Sequence, residues 1–360
     1  MDLALAIPVH NDAAGLDRLL QQARDFGVFK QVIVVDDASQ QPIATPTDPQ
    51  PFDLEVLRLP QSKGAGAARN RAIAALRCSH VLFFDSDDLL TSDLPGLWQD
   101  LQRHNADEDP FDFCLFRHHD SRRGDMGGWG QMRFDDRIWR KARLSGQNLC
   151  ALDEQQSHLL SQTANYPWNK IYSLDFLQRE NLRFTEIEVH NDIEFHWASF
   201  ITADRILASN RIAAVHFIGQ ADRAKQQITG RKDLARLQLF KALSALEPRL
   251  TTLAQSAGQQ AADLWRLSLL SFVSDLMLWV RETLDPQHFQ SLQSAQHRYF
   301  DSVLTDEMLE LFHQRDPVMA LQILLQMAES DEIDRPDQAA STPTNAVATT
   351  PQPSLSGVSV

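Results

Sequence analysis

Cysteine is scarce in this chain: three in 360 residues, Cys78, Cys114 and Cys150, widely spaced and without a CxxC pair. An odd, dispersed set builds no disulfide framework and lacks the spacing of a structural zinc site, so buried thiols in a reducing cytoplasm are expected. Basic charge is in deficit. With 34 Lys and Arg against 48 Asp and Glu, the formal net charge is −14. That balance argues against a nucleic-acid partner and against a broad basic membrane surface. Long apolar runs are missing too. The N-terminus, Met1-Asp2-Leu3-Ala4-Leu5-Ala6-Ile7-Pro8, puts an acid where a signal peptide carries positive charge. Leu267 to Val280, the most apolar later stretch, is broken by Asp275 and too short for a bilayer. The expectation is a cytoplasmic protein without a transmembrane segment, free or peripherally attached at the inner face of the membrane.

What the chain does contain is organised around His80-Val81-Leu82-Phe83-Phe84-Asp85-Ser86-Asp87-Asp88-Leu89-Leu90. A short apolar run suits a strand buried on both faces. Its carboxylates then fall at the strand's carboxyl end, where open α/β sheets bind ligands. Short acidic side chains there hold a hard cation such as Mg²⁺ or Mn²⁺, which in turn holds a diphosphate. The competing reading is a solvated turn that caps the next helix. Leu3–Val9, 31–35 and 54–59 read as further strands. A helix from a cap at Asn11 to about Gly27 carries Leu16, Leu19, Leu20, Ala23 and Phe26 on one face. A second, Ala-rich helix spans 64–77. This alternation predicts a mainly parallel sheet with helices on both sides.

Further on, 94–104, 152–160, 174–180 and 192–200 read as helices, and 111–116, 205–207 and 213–218 as strands. The glycine- and charge-rich stretch 119–148 reads as loops and short strands. After about Thr229 the pattern turns to Leu, Ala, Gln and Arg at helical spacing, with Pro248, Pro286 and Pro317 at joints. The expected organisation is an α/β domain over 1–230, a helical extension over 231–330 and a disordered tail over 331–360, where large apolar side chains almost vanish.

Three strand exits carry polar residues: His10-Asn11, Asp36-Asp37, and Asp85 to Asp88. In a parallel sheet they line one crevice. An aspartate at the second exit accepts from a base or a ribose hydroxyl, or else caps a turn. Gly64-Ala65-Gly66-Ala67-Ala68-Arg69-Asn70 looks like a phosphate-binding turn. Arg69 stands where the dinucleotide fingerprint has its third glycine, and no Gly-Lys-Ser/Thr follows, so neither NAD nor a Walker loop fits. A cation there can pair with a diphosphate.

Taken in order, Ile7-Pro8-Val9-His10-Asn11, Val34 to Ser39, Gly64 to Asn70 and Phe83 to Asp88 resemble family 2 glycosyltransferases of the GT-A fold. Tyr166 to Tyr172, Leu182-Arg183-Phe184 and His190-Asn191-Asp192-Ile193-Glu194-Phe195 extend the resemblance to about residue 230. It implies a nucleotide-sugar donor, usually a UDP-sugar, and inverting transfer. By motif position Asp37 would contact the base beside Pro8 and His10, and Arg69 would face the diphosphate. Asp85 and Asp87 would hold ribose and metal, with Asp88 as an alternative ligand for Mn²⁺ or Mg²⁺. Asp192 would be the general base; its chemistry suits a single displacement in which a carboxylate takes the acceptor hydroxyl's proton. Asn191 replaces the family's usual Glu, and Glu194 is a rival base. Trp168 stacks on an acceptor sugar, with Asn169 beside it, or is a core residue. His216 ends a strand or contacts metal or phosphate.

The resulting expectation is a metal-dependent glycosyltransferase that adds a sugar to a glycan or lipid-linked saccharide. Two rivals stand beside it: an inactive nucleotide-sugar or glycan binder, and a scaffold acting through the helical extension. A nucleotidyltransferase is disfavoured, because its glycine-rich signature follows the first strand.

Overall fold

The apolar runs become adjacent strands in the computed structural model, which describes residues 1–107, 110–121, 133–144, 148–217 and 230–331. Strands β1 (Leu3–Val9), β2 (Phe29–Asp36), β3 (Asp53–Arg58) and β4 (His80–Phe83) pair in parallel in the order β3-β2-β1-β4. Every residue of β1 and β4 is buried, which is why neither alternates polar with apolar. Helix α1 (Ala13–Phe26) buries Leu16, Leu19, Leu20 and Ala23, as the periodicity requires. Its cap is Asp12, not Asn11: the Asp12 carboxylate accepts from the Gly15 amide, while Asn11 sits in the left-handed region at φ 54. Helix α2 (Ala65–Ile73) follows β3 and is shorter than its alanine content suggested.

Past β4 the sheet changes direction. The chain continues through β5 (Leu89–Leu90), α3 (Leu94–Asp107), β6 (Phe113–Asp120), α4 (Arg133–Lys141), β7 (Cys150–Ala151) and α5 (Glu154–Leu160). It then runs through β8 (Lys170–Ser173), α6 (Leu174–Arg179), α7 (Ile193–Thr202) and β9 (Ile206–His216). The sheet order is β3-β2-β1-β4-β8-β6-β9-β5, with β7 paired to β9. β8 runs antiparallel to both neighbours, so the sheet is mixed, with its parallel half on the β1 side. The two strands expected near 205 and 213 are one, β9. The excursion after β6 contains a helix, α4, where loops and short strands were expected; Ile138 and Trp139 anchor it, and Arg140 pairs with Asp136 one turn away.

The extension is helical throughout its described length, and Pro248, Pro286 and Pro317 each stand in the first turn of an element, where a missing N–H costs nothing. One buried cluster joins Ala4, Phe83 and Trp197 to Leu243, Leu270, Val273 and Phe300, so sheet and extension share a core. No helix among the described residues is long and apolar enough to cross a membrane. The tail from residue 332, and Arg223, Gln226, Gln227 and Thr229, lie outside the described residues.

Candidate active site

The exits of β1, β2 and β4 meet at one end of the sheet, and helix α1 clamps the acidic turn. Arg18 donates to the carbonyls of Ser86 (3.3 Å) and Asp87 (3.0 Å), and the Ser86 hydroxyl donates to Asp12 (2.9 Å). Gln22 bonds Leu90 through both its amide nitrogen and its oxygen. The contact is close enough to require glycine at position 15. A Cβ there would lie 2.0 Å from Asp12 Oδ2 and 2.6 Å from the Ser86 carbonyl. Sequence reasoning missed Gly15, though a glycine in the first turn of a helix, where it costs about 1 kcal/mol against alanine, was a readable signal.

Within this turn the acids have separate tasks. Asp88 is 1% exposed, and its Oδ1 accepts from His216 Nδ1 (2.9 Å) and from the Phe217 amide (2.8 Å). Burial raises the Asp88 pKa, opposed by the His216 contact. A proton on Nδ1 makes Nε2 the lone-pair nitrogen of His216, the arrangement in which a carboxylate orients an imidazole ligand. Asp88 is thus placed behind His216 rather than at the surface of the crevice. Asp87 is half-buried beside it. Among the described residues no group of three His, Cys, Asp or Glu side chains is arranged to hold a metal. An ion of the Mg²⁺ class needs none, since one or two side chains plus substrate phosphates complete its shell.

On the β2 side, Pro8 is buried within β1 and His10 is exposed. His10 Nδ1 lies 2.7 Å from the Asp37 carbonyl and Nε2 lies 2.9 Å from the Asn11 amide, so both ring nitrogens are fixed. The Asp37 carboxylate accepts from Ser62 Oγ (2.8 Å), Lys63 N (2.7 Å) and Gly64 N (2.9 Å). It therefore moulds the loop before α2.

Arg69 departs from expectation. It is 4% exposed and turned inward, donating to Asn191 Oδ1 (2.8 Å) and pairing with Asp85, with its guanidinium over Phe184. Instead of facing a diphosphate it ties the acidic turn to the segment before α7. The glycines of the 64–70 motif serve the same junction. Gly64 adopts φ 85, and a Cβ on Gly66 would lie 2.5 Å from the Thr185 carbonyl. At that junction Asp192 begins α7, half-buried. Burial pushes its pKa up to about 6, against the lowering effect of the nearby Arg69 charge. A carboxyl of that pKa is deprotonated and still basic near neutral pH, as a general base must be. Glu194 instead accepts from the Thr185 hydroxyl.

Trp168 and Asn169 lie in the core, the second of the two readings open for Trp168. Trp168 is 1% exposed and packs in a three-ring cluster with Tyr166 (4.4 Å) and His216 (5.8 Å), which also lie 5.2 Å from each other, and Asn169 is 2% exposed with Oδ1 accepting from Lys170 Nζ. The short helical turn Pro167–Asn169 feeds β8 into the middle of the sheet, so its side chains enter the core. Lys170 is fully buried, with Nζ also on the Tyr166 carbonyl, and burial lowers its pKa to about 7.

Residues 4–111 match the family model described as glycosyl transferase family 2. The matched segment runs from β1 past β4 and carries the three polar strand exits. The pre-mycofactocin glycosyltransferase of Mycobacterium tuberculosis is 44% identical over 91 residues, covering 24% of this chain and 18% of that protein. Succinoglycan biosynthesis protein ExoO of Rhizobium meliloti is 32% identical over 95 residues, 26% of this chain and 27% of that protein. The match thus spans about a fifth to a quarter of these relatives' lengths. Residues 1–349 of S. aureus TarS in complex with UDP superpose with a TM-score of 0.62 at 16% identity, covering 92% of this chain and 89% of that one. The UDP-GlcNAc complex of the same protein gives 0.64. The likeness shows the GT-A fold, and it extends through the helical region as well as the sheet.

Proposed function

We propose that the chain is a family 2, inverting glycosyltransferase that moves a sugar from a nucleoside-diphosphate sugar, UDP-linked, to a hydroxyl of a glycan or lipid-linked saccharide. The observation that carries this is Asp192: a half-buried carboxyl with a pKa of about 6, coupled through Asn191 and Arg69 to Asp85 at the end of β4. Pro8, His10 and the Asp37-moulded loop form the base side of the crevice. Asp85, fixed by Arg69, faces the ribose. Asp87 and Nε2 of His216 would hold Mn²⁺ or Mg²⁺, with Asp88 behind the imidazole. Such an ion supplies positive charge to the departing diphosphate. Asp192 takes the proton of the acceptor hydroxyl at a carboxylate oxygen as the hydroxyl oxygen attacks the anomeric carbon from the face opposite the leaving group and the bond to the nucleoside diphosphate breaks. Arg69 keeps the two acids in register and lowers the Asp192 pKa enough for ionisation at neutral pH.

The boundary near residue 230 then separates the donor-binding α/β part from an extension that buttresses α7. The test is slow hydrolysis of a UDP-sugar by the full chain, with water as acceptor. Asp192→Asn should cut the rate at least a hundredfold while UDP affinity is kept. Equal measurable rates in the two proteins would remove Asp192 from the chemistry, and no hydrolysis by either would favour the inactive-binder reading.

A further inference from the structure

With Trp168 in the core, the crevice needs another surface to orient an acceptor. The helix Gln259–Thr283 brings one. Trp279, near its end, is 38% exposed, whereas the other described tryptophans are at most 9% exposed. Its indole is nonetheless held. The Arg236 guanidinium lies 4.6 Å from the ring centroid, in cation–π contact, and Arg236 is itself fully buried and donates from Nε to the Arg231 carbonyl. The His190 ring meets the indole edge-to-face at 6.1 Å.

His190 places Trp279 relative to the chemistry. It adopts a left-handed φ of 63, two residues before Asp192. Adjacent Cα atoms are about 3.8 Å apart, so His190 and Asp192 stand within about 8 Å of each other. Through the His190 ring, Trp279 is therefore tied to the segment that carries Asp192. His190 Nε2 is buried without a hydrogen-bond partner, and burial together with the Arg236 charge keeps the imidazole neutral at physiological pH. A buried orphan of this kind costs about 1–3 kcal/mol and calls for a functional reason.

We propose that Trp279 is the acceptor-sugar subsite: the C–H face of an acceptor pyranose stacks on the open part of the indole, beside the hydroxyl that Asp192 deprotonates. The proposal rests on the glycosyltransferase reading and gives the extension a share of the active site. An indole immobilised from below by Arg236 is ordered before the ligand arrives, so stacking sacrifices little side-chain freedom. A pyranose offers both an apolar face for the ring and hydroxyls for polar groups at the rim.

The experiment is saturation-transfer NMR on the full chain with UDP present, using the methyl glycosides of glucose, galactose, mannose and N-acetylglucosamine. At least one glycoside should bind the unmodified protein. Trp279→Ala should weaken it at least tenfold, and Trp279→Phe much less. Leu278→Ala, at the neighbouring exposed position, should leave it unchanged. UDP affinity, measured by calorimetry, should be the same in all four proteins, which also shows that each is folded. Equal glycoside binding by Trp279→Ala, a loss shared by Leu278→Ala, or no glycoside binding by a protein that binds UDP would each overturn the subsite. Absence of UDP binding by the unmodified chain would instead bring down the glycosyltransferase reading on which it rests.

Discussion

Asp192→Asn should make the protein more stable at neutral pH as well as inactive. The folded-state pKa of Asp192 is raised from the ordinary 3.8 to about 6, chiefly by burial. The sign follows from proton binding. Below pH 3.8 the group is protonated in both states and contributes nothing. Between 3.8 and about 6 the unfolded chain ionises first, so stability falls as pH rises. Above about 6 a constant penalty remains. At about 1.36 kcal/mol per pKa unit that penalty is about 3 kcal/mol, an upper figure because the side chain is partly solvated. The amide has nearly the carboxyl's shape and no charge, so its stability advantage should grow from near zero at pH 4 to a plateau of about 1–3 kcal/mol above pH 6.5. Urea denaturation of both proteins across this range measures it. An advantage independent of pH, or a loss at pH 7.5, would refute the burial argument. The same pKa predicts that donor turnover falls as pH drops through about 6.

Gly15→Ala should push the acidic turn away from α1 at a cost of about 1–3 kcal/mol and weaken UDP-sugar binding at least tenfold, checked by thermal melting and calorimetry. Asp88→Asn should weaken Mn²⁺ dependence of donor binding about 10–100-fold although Asp88 is not the ligand, because it orients His216. Trp168→Ala should cost about 3–5 kcal/mol of stability, read by denaturation, because its side chain fills the core. A change confined to acceptor use, with no loss of stability, would contradict its burial.

The parallel half of the sheet was legible because β1, β2 and β4 are apolar runs that end in polar residues, a pattern set by burial on both faces. β5 and β7 have two residues each, too few for any period to show. β8 hid because its first residue is a buried lysine, whose hydrogen bonds are met by two oxygen acceptors that only the folded chain supplies. At the site, residue types were legible but directions were not. Arg69 reads as a phosphate cation until Asn191, 122 positions away, accepts from it. Trp168 and Trp279 are the same residue type with opposite exposure, and long-range docking decides which one meets solvent. Gly66 was noticed as part of a phosphate turn, whereas its task is close approach to Thr185.

The central claim is that the crevice at the end of β1, β2 and β4 binds a nucleotide-sugar through a metal. It is tested most directly by calorimetric titration of a panel of nucleotide-sugars, with and without Mn²⁺, into the full chain and into Asp87→Ala. The account predicts tight, metal-dependent binding of one UDP-sugar that is lost in Asp87→Ala. Binding of none by the folded protein, or binding indifferent to both Mn²⁺ and Asp87, would contradict it.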